Sequence, residues 1–421
     1  MKTIKYFFYF AFVLVLPARL SALDLDGCVK MALSASHALK ASGLNIEAAR
    51  SVYARDRRTL LPALAVTGED GYNHYQAGSG LRDGLMGNVG AQLSWDMGKT
   101  LAGFPEASRL ELEKARLLRD LDEKDIVRGV TQDYYRLYIL LGKRADYAEA
   151  EKYFFSHIED IEKLEGAGLD VKLDRVRAEI QFKSLELTGK TLETQIAGAL
   201  KSLSYTVGAE LRAEDLVFEG GAEAFSRLPA LAGGGLEVSS CCADAGGLYS
   251  ARLDRLETSS ALEAYRQSKF AYAPVLTLGL ARNLDIIDPA TELYRTYVAV
   301  NLPLFDFGAR SEERKALLRG YEARKETELE SQRTRRLALE TLAAEIQSAS
   351  ASYEGLRKNY EAAAGNVETA KLYYAEGKIK ETDLLSIFSE YLDAKQQSRD
   401  ALGSYLDKKA ELAYLRAGAV K

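Results

Sequence analysis

Val300-Asn301-Leu302-Pro303-Leu304-Phe305-Asp306-Phe307-Gly308 closes an alternating apolar run, and a long charged stretch follows at once. Alternation at period two is the mark of a strand with one apolar face. Here Thr296, Val298, Val300, Leu302 and Leu304 share a face, while Asn301 belongs to the other. The pattern occurs earlier as well: in Val89-Gly90-Ala91-Gln92-Leu93-Ser94-Trp95-Asp96, closed by Met97-Gly98, the residues Val89, Ala91, Leu93 and Trp95 line up on one side. Each run is preceded by another short strand, Leu64 to Asn73 and Val275 to Asn283, the latter with Leu276, Leu278 and Leu280 on one face. Four strands per chain are expected.

The chain is written twice. Pro62 precedes Trp95 by 33 residues and Pro274 precedes Phe305 by 31; Trp95 to Gly168 is 73 residues and Phe305 to Gly377 is 72; Gly168 to Gly208 is 40 and Gly377 to Gly418 is 41. Agreement over three consecutive intervals marks an internal repeat. Between the halves, Ala209 to Tyr249 carries Gly220, Gly221, Gly233, Gly234, Gly235, Gly246 and Gly247, the chemistry of a linker. The expected organisation is a first repeat over 23–208, a linker over 209–249 and a second repeat over 250–418.

Helices make up the larger part. Leu342, Ile346, Ala349, Tyr353, Leu356, Tyr360, Ala363, Val367, Ala370 and Tyr374 follow in steps of three and four, a heptad seam, with Ile126, Val130, Tyr134, Leu137 and Leu141 as a shorter counterpart. Sixteen of the 31 residues in Arg310 to Glu340 are charged with mixed sign, and Glu345, Glu354 and Glu361 continue this solvated face. Gly142 and Gly355 lie 47 and 50 residues after Trp95 and Phe305, and each is read as a turn between a descending and a returning helix. A 45-residue helix would be ~70 Å long.

Lys2 and Lys5 ahead of the apolar run Tyr6 to Leu16, with Ser21 and Ala22 behind it, read as a signal peptide over residues 1–22. No other stretch of 18 apolar residues occurs, so a mature membrane protein would span as a β-barrel. Cys28 is read as a small buried residue on a helix from Leu25 to Ala41 rather than a lipidated terminus, because Asp26 would sit inside the lipidation motif. Cys241 and Cys242 are adjacent and suit no ordinary disulfide framework.

Several functions are disfavoured. The net charge of -5 is mixed along the chain, with no basic stripe to track nucleic acid. His37, His74 and His157 have no ligand spacing, and no phosphate-cradling glycine motif occurs. No catalytic, cofactor-binding or metal residues are assigned. The strand pairs suit either a small soluble sheet or a transmembrane barrel, whose interface aromatics Trp95, Tyr294, Tyr297, Phe305 and Phe307 could supply. Four strands close no barrel with a lumen, so the second reading requires several chains.

Across essentially the whole mature chain these residues resemble the TolC-like outer-membrane factor family, the efflux proteins. The resemblance is carried by Leu23-Asp24-Leu25-Asp26-Gly27-Cys28-Val29-Lys30-Met31-Ala32-Leu33 and by the entry from Arg58 to Leu64. It is carried further by the junction Val300 to Gly308 and by Tyr374-Ala375-Glu376-Gly377-Lys378-Ile379-Lys380-Glu381-Thr382-Asp383-Leu384-Leu385, with Gly168-Leu169-Asp170-Val171 as its first-half equivalent. Arg252-Leu253-Asp254 and Tyr373 depart from the family pattern.

The resemblance implies a mixed α and β membrane protein, a homotrimer whose four strands per chain form a twelve-stranded barrel and whose coiled-coil helices form a periplasmic tunnel. Loops Gly71 to Met86 and Asn283 to Tyr294 would face outside. Gly142 and Gly355 would mark the periplasmic tip, where an adaptor protein docks, and Gly168 and Gly377 the equatorial turns. The implied role is the outer-membrane exit duct of an efflux or type I secretion system, partnered by an adaptor, an inner-membrane transporter and outer-membrane lipid. The alternative is a periplasmic coiled-coil scaffold or adhesin that conducts nothing. The transported substrate is not written in the residues.

Overall fold

The computed structural model describes residues 23–77, 80–168, 171–218, 248–285, 293–303 and 305–416. The signal-peptide reading, Cys241, Cys242, the linker glycines, Leu304 and Gly418 lie outside these residues. Two compact units divide the chain, one over Met1–Ser36, Ile126–Gly233 and Ala349–Asp407, the other over His37–Asp125, Gly234–Ser348 and Lys408–Lys421. Each draws on both sequence repeats, so repeats and units do not coincide.

The elements run α1 (Leu25–Ala35), α2 (His37–Arg58), β1 (Ala63–Ala77), β2 (Gly80–Asp96), α3 (Met97–Leu101), α4 (Pro105–Gly166) and α5 (Lys172–Val207). After a one-turn 3-10 helix (Ala213–Asp215) come α6 (Tyr249–Ser268), β3 (Val275–Asp285), β4 (Leu293–Asn301), α7 (Ala309–Ala375) and α8 (Glu381–Arg416). The duplication is plain in the helices. A 62-residue and a 67-residue helix follow the two strand pairs, and each is followed by a helix of 36 residues.

In the first unit the heptad reading of α4 is realised. Val130, Tyr134 and Leu137 are buried with Leu203 and Val207 of α5, Leu406 of α8 and Cys28 and Ala32 of α1. The same core takes in Leu211 and Leu216, and Leu23 forms a parallel bridge with Leu216. The start of the expected linker is therefore packed structure, because its apolar residues have a core to enter. The expected helix Leu25 to Ala41 is broken instead at Ser36, which caps α1 in a non-helical conformation. A second cluster packs Ala150 and Phe154 against Leu185, Val367, Phe388 and Leu392.

In the second unit the four strands form one antiparallel sheet in the order β1-β2-β3-β4. β1 and β2 pair from Ala63↔Ser94 out to Ala77↔Gly80. The stretch Gly71 to Met86, expected as a loop, is thus mostly strand. Its glycines and polar residues hide the alternation, but backbone pairing needs no apolar side chain. Asn283 and Leu293 likewise still pair in the ladder.

Gly142 lies inside α4 and Gly355 inside α7, so neither is a turn. An interior glycine costs a helix only about 1 kcal/mol, too little to stop one of this length. At Gly142 the missing side chain leaves room for the Arg399 guanidinium, whereas a Cβ at Gly355 would meet nothing within 4 Å. Glu345, Glu354 and Glu361 are consequently mid-helix, and Glu345 pairs with Lys408 and Glu361 with Arg357. The chain reverses at Gly168 and Gly377, where φ is 91° and 71°. Left-handed glycine ends a helix without steric cost.

Candidate functional site

The sheet has two unlike faces. Register places Leu64, Leu93, Leu278 and Val298 side by side across all four strands, with Trp95, Leu276 and Val300 in a neighbouring row. The described apolar side chains of this face are largely uncovered: Val66 is 75% and Val298 67% exposed, and Leu64, Val89, Leu278, Leu280 and Val300 are exposed too. Among the described residues nothing else in the unit buries them. A contiguous exposed apolar face of this extent marks a surface that meets another apolar phase.

The opposite face presents Ser94 with Thr277, Gln92 with Gly279 and Tyr297, and Ala281 with Arg295. Gly279 has a specific job there. The Tyr297 ring lies so close over it that a Cβ would overlap ring atoms. The Arg295 guanidinium stacks on the same ring, 5.6 Å from its centroid.

Helices meet the sheet at one end, where α2 enters β1, β2 leaves into α3, α6 precedes β3 and β4 is followed by α7. The repeated aspartates build this end. Asp96 accepts from Lys99 N and caps α3; Asp306 accepts from Gly308 N and Arg310 N at the start of α7 and also from Tyr272 Oη at 2.9 Å. Between Asp306 and Gly308 the backbone is left-handed at Phe307, with φ 53°. For a non-glycine residue this costs about 1–2 kcal/mol. The turn displays Phe307 with 93% of its surface exposed, edge-on to Phe305 at 4.8 Å.

Of the sequence-assigned positions, Gly168 and Gly377 stand at helix reversals, while Gly142 and Gly355 do not. The reversal at Gly377 leads into a buried polar group in the first unit. Glu381, in the first turn of α8, receives His157 Nε2 at 2.9 Å, and Tyr153 stacks on the imidazole. Burial and Glu381 push the Tyr153 hydroxyl up to about 12. Farther along α8, Asp146 is held by Arg399 Nη2 at 2.9 Å and Lys395 Nζ at 3.1 Å, and Lys395 also reaches Glu149. Burial alone would lower Lys395, yet Asp146 and Glu149 raise it above the ordinary lysine value. Sequence spacing gave no hint of these pairs, whose members lie more than 200 residues apart.

Among the described residues no group of three or more His, Cys, Asp or Glu is placed to hold a metal ion. No described helix is long and apolar enough to cross a membrane. Cys28 is wholly buried within α1 as a free thiol.

The fold is thus an open four-stranded antiparallel sheet with one bare apolar face, whose strands connect at one end to very long helices. Solved structures that superpose on the chain include outer-membrane channels. The chain superposes on a membrane protein from Pseudomonas aeruginosa with a TM-score of 0.74 at 18% identity, over 93% of this chain and 92% of that one. The outer-membrane channel OprN gives 0.73 at 15% identity, over 94% and 90%. The MtrE outer-membrane channel of Neisseria gonorrhoeae in its open state gives 0.72 at 18% identity, over 94% and 89%. No family model and no curated protein matches the sequence.

Proposed function

We propose that the chain is the subunit of an outer-membrane channel: three copies join their sheets into a twelve-stranded barrel, and their helices wall a periplasmic duct. The observation that carries this reading is the pairing of a bare apolar face with an open sheet. Lipid satisfies the apolar face. Closure with neighbouring copies satisfies the outer strands β1 and β4, because unpaired backbone groups are not tolerated at membrane depth. The aromatic pair Phe305 and Phe307, at the helical end of the sheet, suits the girdle where lipid meets water.

The duct would pass solutes delivered by a periplasmic adaptor and an inner-membrane transporter. Because Gly142 and Gly355 are mid-helix, docking is assigned instead to the reversals Gly168 and Gly377, which on this reading are tip rather than equatorial turns. The role is conduction without catalysis. The mature protein, extracted in detergent, should run as a trimer and give ion conductance in planar lipid bilayers. Recovery of a detergent-free monomer without conductance would overturn the reading in favour of a soluble scaffold.

A further inference from the structure

A cleft of about 780 Å³ sits at the helical end of the sheet, within the second unit. Arg55, Arg58, Lys99 and Asp96 line it over an apolar floor that includes Leu61 and Val275. Register fixes which side it opens on. Asp96 pairs with Val275, and Asp96 shares the polar face of β2 with Ser94 and Gln92. The cleft therefore belongs to the polar side, away from the apolar face.

Three cations meet two carboxylates here, Asp96 and the Asp56 that pairs with Arg55, and the cleft keeps a net excess of one positive charge, carried by Arg58. Lys99 Nζ lies 3.6 Å from Asp96, and Arg55 reaches Asp56 at 2.7 Å, while Arg58 presents its charge at an exposed position of the last turn of α2. Farther out on the same face stands Arg295. A concave wall with a net positive charge raises the local concentration of anions. The field reaches about 8 Å at physiological salt, far enough to act on a solute passing along a narrow duct.

We propose that this cleft is an anion-collecting site on the conduit wall, which makes the open channel favour anions over cations and suits small organic anions with an apolar body, such as aryl sulfonates and carboxylates. The proposal rests on the channel reading and adds the charge class of the solute. Reversal potentials of the trimer in bilayers under a KCl gradient test it, with naphthalene-1-sulfonate as an added blocker.

The wild type should reverse towards the chloride equilibrium potential and be blocked by the sulfonate. R58Q/K99Q should lower the chloride-to-potassium permeability ratio about twofold or more and weaken the block by a similar factor, while R58K/K99R should behave as wild type. A cation-selective wild type, or a neutralised variant indistinguishable from it, would overturn the proposal. Trimers that conduct nothing would instead overturn the channel reading itself.

Discussion

His157 Nε2 lies 2.9 Å and 3.0 Å from the two carboxylate oxygens of Glu381, a residue 224 positions later, and Glu381 is only 2% exposed. The pair joins α4 to the first turn of α8, where a carboxylate is also favoured by the helix dipole. Removing either partner leaves the other short of a buried contact, although Glu381 keeps Tyr374, so H157A and E381A should each cost about 2 kcal/mol. The double variant should cost clearly less than the two together. Thermal unfolding of the three variants checks this, and strict additivity would mean that the contact contributes nothing.

The two mid-helix glycines should respond oppositely to alanine. G355A fills open space and should stabilise by about 1 kcal/mol. G142A makes the same helical gain but drives a methyl into the Arg399 guanidinium that holds Asp146, and loss of that buried contact should outweigh it for a net destabilisation of about 1 kcal/mol. Denaturant midpoints of the two variants decide it.

Asp56 gives the unfolding a defined acid limb. Burial would raise its carboxyl, but hydrogen bonds from Ser108 and Arg55 prevail and hold it below the ordinary 3.8. A depressed folded-state value contributes stability that is fully present above 3.8 and is lost as pH falls through the lower, folded value. D56N should flatten the stability profile below about pH 4 while lowering stability at neutral pH. A variant with the wild-type acid slope would refute the assignment.

Cys28 should be inert in the folded chain. Burial, reinforced by Asp24, pushes the thiol up to about 11, and its side chain is enclosed in the core with Leu23 and Ala32. Iodoacetamide at pH 8 should leave Cys28 unmodified in the native protein and label it after denaturation, read by mass spectrometry of the peptide that carries it. Rapid labelling of Cys28 in the native protein would contradict the packing of α1.

Much of the fold was legible because its signals are local. Alternation at Val89 to Trp95 and at Thr296 to Val300 marked strand faces, and heptad spacing at Val130, Tyr134 and Leu137 marked a core stripe. Glycine identity misled where backbone conformation decides: Gly142 is a packing glycine, Gly377 a left-handed one, and both are the same letter. The outer part of the first hairpin escaped because Gly71 to Met86 pairs through its backbone. The cleft cations and the His157–Glu381 pair depend on long-range proximity, which no window of sequence contains. Arg55, Arg57 and Arg58 did stand together, but the last turn of any helix favours cations.

The two outer strands of the sheet carry a consequence for biogenesis. β1 extends over 15 residues and β4 over 9, and each offers a free row of amide and carbonyl groups among the described residues. Such an edge templates the addition of any compatible strand. A newly made chain is therefore adhesive until these edges are paired. For the trimer proposed above, folding yield is then a race between correct encounter and misassembly, won at a rate set by subunit concentration as much as by sequence.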